Sequence, residues 1–186
     1  MNGADMKKSE EKFGMVLLRN LAGVLAIVLM CVIFAFSAQP KEESGAVSAS
    51  FTYHMVSSTR TFFHWDLSDA RVKEISDAIE GFIRKVAHMA EFGTMSVLLY
   101  IWIGQWEMGF LRRGGTAVGA TTVYAATDEI HQLFVPGRAG RFSDVCIDCA
   151  GALVGVVVFA LLVRLVKRVR ARRLKREMRL HREREV

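Results

Sequence analysis

Apolar positions in this chain come in blocks. Residues 15–36 (MVLLRNLAGVLAIVLMCVIFAF) are apolar except for Arg19 and Asn20. A bilayer crossing takes roughly 20 such residues, so the block predicts a membrane-spanning helix. It is too long for the apolar region of a cleaved signal peptide, which runs to about 7–15 residues. Ala35 and Ser37 nevertheless offer small residues at a plausible cleavage point; a retained helix is the reading adopted. Pro40 ends it. Three further spans are predicted at about 85–106, 115–134 and 144–166. Their centres are Val97–Ile103, the run after Gly115, and GALVGVVVFALLV.

Between the first two spans lies the longest polar segment, 37–84. Within it, 66–84 reads as an amphipathic helix. Val72, Ile75, Ile79, Phe82 and Ile83 recur at helical spacing, with Asp66 or Ser68 as its cap. Such a helix lies in the membrane interface or packs on the rest of the protein. The expected fold is therefore all-α: a polytopic bundle of four transmembrane helices with an outer amphipathic helix before the second span. Its parts are a cytoplasmic N-terminus (1–14), a transmembrane domain (15–166) and a basic cytoplasmic tail (167–186).

Composition sharpens this picture. The chain has 186 residues, 52% of them hydrophobic, and a net charge of +6. The charge is concentrated after the last span, in Arg164, Lys167, Arg168, Arg170, Arg172, Arg173, Lys175, Arg176, Arg179, Arg182 and Arg184, against Glu177, Glu183 and Glu185. A basic flank of this kind fixes a span toward the cytoplasm and anionic lipid, so no nucleic acid is expected as a partner. Three cysteines give no disulfide framework. Cys146 and Cys149 form a C-x-x-C read as small apolar helix residues, and Trp102 and Trp106 are read as an interfacial belt.

Four spans place both termini on one side, together with Lys7, Lys8, Lys12, Arg112 and Arg113. The positive-inside rule makes that side the cytoplasm and predicts a multi-pass protein of the cell membrane. The opposite face then collects a second set of charges. Ser37 and Gln39 leave span one. Lys85, His88 and Glu91, three apart, share a face at the outer end of span two. Asp128, His131 and Gln132 share another in span three, with Glu129 turned about 100° away. Asp144 and Asp148 open span four, and Arg138 and Arg141 sit in the outer turn. Ionisable groups at the edge of a hydrocarbon layer have partners or a job. The glycine pairs Gly151/Gly155 and Gly115/Gly119 are expected to let helices approach closely. Tyr124 either donates to Asp128 one turn on or packs.

Three readings of the cluster stay open. As an enzyme, His88 or His131 is a general base oriented by Asp128, Glu91 or Asp144, with Glu129 in the same group. Lys85, Arg138 and Arg141 hold phosphate, beside Gln39, Gln132 and Asp148 as further substrate contacts. As a binding or shielding protein, the same groups hold a headgroup or an antibiotic without chemistry. As a structural device, Lys85, Arg138 and Arg141 neutralise Glu91, Asp128, Asp144 and Asp148 and fix helix register. There is no His-Glu-x-x-His metal motif and no Gly-x-Ser-x-Gly elbow. The mix of histidines and carboxylates is also of a kind that holds a divalent metal, but without such a motif no metal site is assigned, and the cofactor is left open.

Several strings carry a family resemblance: Ser37-Ala38-Gln39, Lys85-Val86-Ala87-His88 with Glu91-Phe92, Asp128-Glu129-Ile130-His131-Gln132 through Pro136-Gly137-Arg138, and Asp144-Val145 with Asp148, Gly151 and Gly155. Over about 34–155 the chain resembles the VanZ-like family of bacterial membrane proteins. That family often has Ser-Ser-Gln in place of Ser37-Ala38-Gln39 and Asn in place of Asp148. Its name comes from a protein linked to low-level resistance to the glycopeptide teicoplanin. The resemblance implies a role at the cell envelope; the bilayer is the expected partner, and on the enzyme reading the site acts on an outer-leaflet amphiphile, a lipid-linked wall precursor or a phospholipid through its headgroup.

Overall fold

A computed structural model describes residues 3–184, with side chains over 6–179. Among the described residues the fold is entirely helical: α1 (Gly3–Ser37), α2 (Lys41–Phe62), α3 (Asp69–Ile103), α4 (Phe110–Gln132) and α5 (Phe142–Arg184). Three of these, α1, α3 and α5, are long and apolar enough to cross a membrane. α4 falls short because Arg112, Arg113, Asp128, Glu129 and its threonines dilute an otherwise apolar helix. Four such spans were expected; length and composition support three.

The helices wear their apolar residues outward. Among the described residues of α1 only a narrow stripe of Ala22, Gly23, Ala26, Ile33 and Ser37 is buried, whereas Leu17, Leu21, Val24, Leu25 and Val28 are exposed. On α5, Leu153, Val154, Val157, Leu161 and Leu165 are exposed as well. An apolar surface of this extent belongs against hydrocarbon, not water. Inside, Ile33, Phe92, Met95 and Ala125 form a small core joined by Leu29, Met30, Leu99, Tyr124 and Val145. The Tyr124 hydroxyl donates to the Met30 carbonyl of α1 at 2.6 Å, so its partner is not Asp128.

Helix α3 runs unbroken through the point where an outer helix was expected to give way to a span. The polarity changes near Arg84, but no proline interrupts the backbone. Ser68 caps it, its hydroxyl accepting from the Arg71 N–H. The segment before it, to which the sequence pattern assigns no secondary structure, is the helix α2. Its hydroxyl residues follow a pattern: Thr52 donates to the Ser48 carbonyl, Thr59 to Met55 and Thr61 to Ser57, each four residues back. Such bonds satisfy the hydroxyls without breaking the helix. α2 folds back along α3, burying Thr52 and Val56 there with Val72 and Ser76. Arg60 ties the hairpin, reaching the Leu67 carbonyl at 3.0 Å and Asp69 at 2.7 Å.

α3 and α5 touch backbone to backbone. A Cβ on Gly93 would meet the Gly151 carbonyl oxygen at 2.9 Å, and one on Gly155 would meet the Gly93 oxygen at 2.5 Å. The expected Gly151/Gly155 approach is thus real, and Gly93 is its counterpart on α3. Gly115 and Gly119 have nothing within 4 Å; that pair faces open space, because no helix packs on its side of α4. Trp102 is more than a belt residue: its indole fills the place where Gly23 of α1 lacks a side chain. The basic tail continues α5 as helix. The side chains of Arg182, Glu183, Arg184 and Glu185 lie outside the described residues.

Candidate functional site

Connectivity brings the C-terminal ends of α1 and α4, the N-terminal end of α5 and the middle of α3 to one end of the bundle. The turn between α4 and α5 locks this end together. Gly137 adopts φ +73°, the left-handed conformation that lets the chain double back beside Lys41. The Lys41 N–H donates to the Pro136 carbonyl. Arg138 then reaches 99 residues back, its Nε donating to the Gln39 carbonyl and its Nη2 to the Phe36 carbonyl, both at 3.0 Å. The Phe36 carbonyl lies in the last turn of α1, where it also accepts the Gln39 N–H at 3.3 Å, and Gln39 lies just past the helix end; a cation suits the negative end of the helix dipole. Burial lowers the guanidinium pKa, and the nearby Asp128 charge opposes that effect.

Beneath this clasp lies a cleft of about 510 Å³. Lys41 and Ser44 enter from α2, Arg84, Lys85 and His88 from α3, Glu129 and Gln132 from α4, Arg138 and Arg141 from the turn, and Asp144 and Asp148 from α5. Of the twelve residues predicted for the site, eight line it: Lys85, His88, Glu129, Gln132, Arg138, Arg141, Asp144 and Asp148. The other four sit behind. Glu91 lies 3.9 Å from His88, Oε2 to Nδ1. Asp128 is buried and accepts from Gln132 Nε2 at 3.1 Å. His131 stacks on Phe34 with centroids 4.4 Å apart. Gln39 lends its carbonyl to Arg138. Lys41, Ser44 and Arg84 were missed; only the neighbouring Pro40 and Lys85 hinted at them.

The charges of the cleft are held apart. Acids come from α4 and α5, cations from α2, α3 and the turn. Among the described residues, none of Lys41, Lys85, Arg138 and Arg141 has an ammonium or guanidinium nitrogen within 4.0 Å of a carboxylate. Arg84 pairs with Glu80 on its own helix. Glu129 accepts from the backbone N–H of Arg141, not from its side chain, at 2.8 Å. Asp148 is 4% exposed, and neither a hydrogen bond nor an ion pair reaches it. Behind the cleft, Ser37 Oγ, Gln39 Oε1, Asp128 Oδ1 and His131 Nδ1 are buried without partners. No group of three His, Cys, Asp or Glu residues is placed to hold a metal ion among the described residues.

The arrangement is therefore an open, doubly charged cleft at one end of a helical, multi-pass membrane protein. No curated protein and no solved structure matches the chain. The family model VanZ/LLP1 matches residues 22–164, which takes in every residue of the cleft. The chain belongs to the VanZ/LLP1 family.

Proposed function

We propose that this protein crosses the cell membrane four times and uses the cleft, on the outer face, to bind the phosphate-bearing headgroup of an envelope amphiphile, a phospholipid or a lipid-linked wall precursor. α4 is the fourth span: its 23 residues reach about 34 Å, and its chain direction alternates with those of α3 and α5. Lys7, Lys8, Lys12, Arg112, Arg113 and the tail then share the end opposite the cleft, which the positive-inside rule makes cytoplasmic.

The observation that carries the reading is the unpaired state of Lys41, Lys85 and Arg141 around one cleft, beside an Arg138 guanidinium held by carbonyls and by no acid. Were these cations there to neutralise the acids, they would be bonded to them. Cations left free beside a cavity of ligand size suit an anion brought from outside. The family's link to teicoplanin resistance fits a protein that occupies or masks an envelope headgroup. A second reading, catalysis on that headgroup, is favoured by His88: it lines the cleft as a candidate base, with the Glu91 carboxylate 3.9 Å from its Nδ1, close by though not hydrogen-bonded to it.

The test is native mass spectrometry of the purified chain with phosphatidylglycerol, with undecaprenyl phosphate and with uncharged diacylglycerol. The phosphate-bearing amphiphiles are expected to remain bound, and Lys85→Ala with Arg141→Ala to weaken them. Equal retention of diacylglycerol refutes headgroup recognition. Conversion of a bound amphiphile, lost in His88→Ala, establishes the catalytic reading. Comparing envelope lipids and wall precursors from cells with and without the protein then identifies the natural ligand.

A further inference from the structure

A site for a simple phosphate has no use for acids. Three carboxylates, Glu129, Asp144 and Asp148, nevertheless line this cleft. They repel an anion, and burying Asp148 in its charged form costs free energy that no hydrogen bond or ion pair among the described residues offsets. Gln132, the amide donor in the lining, is already committed to Asp128. Asp148 is more than nine-tenths buried, lines the cleft, and its carboxylate is unpartnered among the described residues. A carboxyl in that state is neutralised by a proton or by a cation, and the cations of the cleft stand on other elements, none within 4.0 Å of it.

We propose that the cleft selects a headgroup carrying both a phosphate and a primary ammonium. The phosphate lies against Lys85 and Arg141, and the ammonium docks on Asp148 with Asp144 one turn above it. This rests on the headgroup reading given above and narrows it. Opposite charges held apart in one cavity match a zwitterion better than a plain anion, since each wall contributes attraction where the other would contribute repulsion. The ammonium is primary because the wall that receives it is made of acceptors. Three N–H groups can donate to carboxylate oxygens, whereas a quaternary ammonium has no N–H and is recognised by aromatic cages. Phe82 is the one phenyl or indole ring in the lining. Bacterial phospholipids with an amine on the headgroup and water-soluble phosphoamines share this chemistry.

The proposal is tested on the full chain in uncharged detergent with chelator present. Calorimetric titration compares glycerophosphoethanolamine, glycerophosphoglycerol and glycerophosphocholine. The corresponding dioleoyl lipids are compared by competition in nanodiscs. One charge-assisted contact leads us to expect the ethanolamine form to bind at least about tenfold more tightly than the other two. Asp148→Asn is expected to remove that preference and Asp144→Asn to reduce it. The wild-type comparison needs no variant, so it decides the matter even if Asp148→Asn fails to accumulate. Preference in the lipid series alone assigns an amphiphile, preference among the soluble headgroups alone assigns a free phosphoamine, and either supports the proposal. Equal affinities in both series overturn it while leaving headgroup binding intact, as does an undiminished preference in both variants. If no headgroup binds, both readings fall.

Discussion

Replacing Gly151 by alanine tests the geometry on which the cleft depends. The new Cβ would lie 2.7 Å from Met89 Cα and 2.9 Å from its carbonyl carbon, with the carbonyl oxygen closer still. These are backbone atoms within a helix, so no flexible side chain can yield. The two helices must part by about 1 Å to regain ordinary contact. Overpacking of this rigid kind costs about 2–3 kcal/mol, and the better helix propensity of alanine returns about 1 kcal/mol. The net loss is about 1–2 kcal/mol, which lowers Tm by about 2–8 °C in a chain of this size. Gly119→Ala is the matched control, because nothing lies within 4 Å of its added methyl; it is expected to leave Tm unchanged or raise it. The assay is thermal unfolding of both purified variants, followed by tryptophan fluorescence or loss of the monodisperse peak. Asp148 stands one turn from Gly151 on α5 and lines the cleft with His88 of α3, so headgroup affinity should fall with stability. If Gly151→Ala and Gly119→Ala are equally stable, α3 and α5 do not cross at these glycines and the shape of the cleft described above is wrong.

Other substitutions probe the clasp and the topology. Arg138→Lys keeps the charge but cannot reproduce the two-pronged contact with the Phe36 and Gln39 carbonyls. It should cost about 1.5–3 kcal/mol, read as a fall in Tm; full stability would mean that α1 does not depend on this contact. Gly137→Ala places a side chain at φ +73° with its Cβ 3.2 Å from that of Lys41. A loss of about 1–2 kcal/mol is expected, and a neutral result would remove the left-handed turn from the account. In intact cells, a cysteine at Ser143 should react with an impermeant maleimide and one at Gly114 should not, in a background lacking the native cysteines. Labelling at Gly114 from outside overturns the orientation.

Much of this architecture was legible in the sequence because the membrane imposes simple demands. The runs that became α1 and α5 declare themselves by hydropathy, and the string from Asp128 to Arg138 marks the end of the bundle where the cleft lies. The single helix α3 was hidden because polarity and backbone need not change at the same residue. α2 was hidden because Ser48, Thr52, Thr59 and Thr61 look like loop residues until their i−4 hydroxyl bonds are seen. Helix pairing was harder. Gly115/Gly119 and Gly151/Gly155 have the same spacing, and only the neighbouring helix decides which pair is a contact. The role of Arg138 was hidden for a similar reason: its partners lie 99 and 102 residues away, and they are backbone carbonyls that leave no mark in composition.

The continuity of α3 also has a mechanical meaning. The helix is pinned at Gly93, where it crosses α5. Its first residue, Asp69, lies about 36 Å from that pin, and His88 only about 7.5 Å. A rigid rod with no proline hinge behaves as a lever working in reverse. Whatever pushes the α2–α3 hairpin sideways moves the cleft wall in the same direction, but about fivefold less. A buffeting of 5 Å at the tip reaches His88 as about 1 Å. The hairpin can thus be displaced while the charges beneath it keep their spacing.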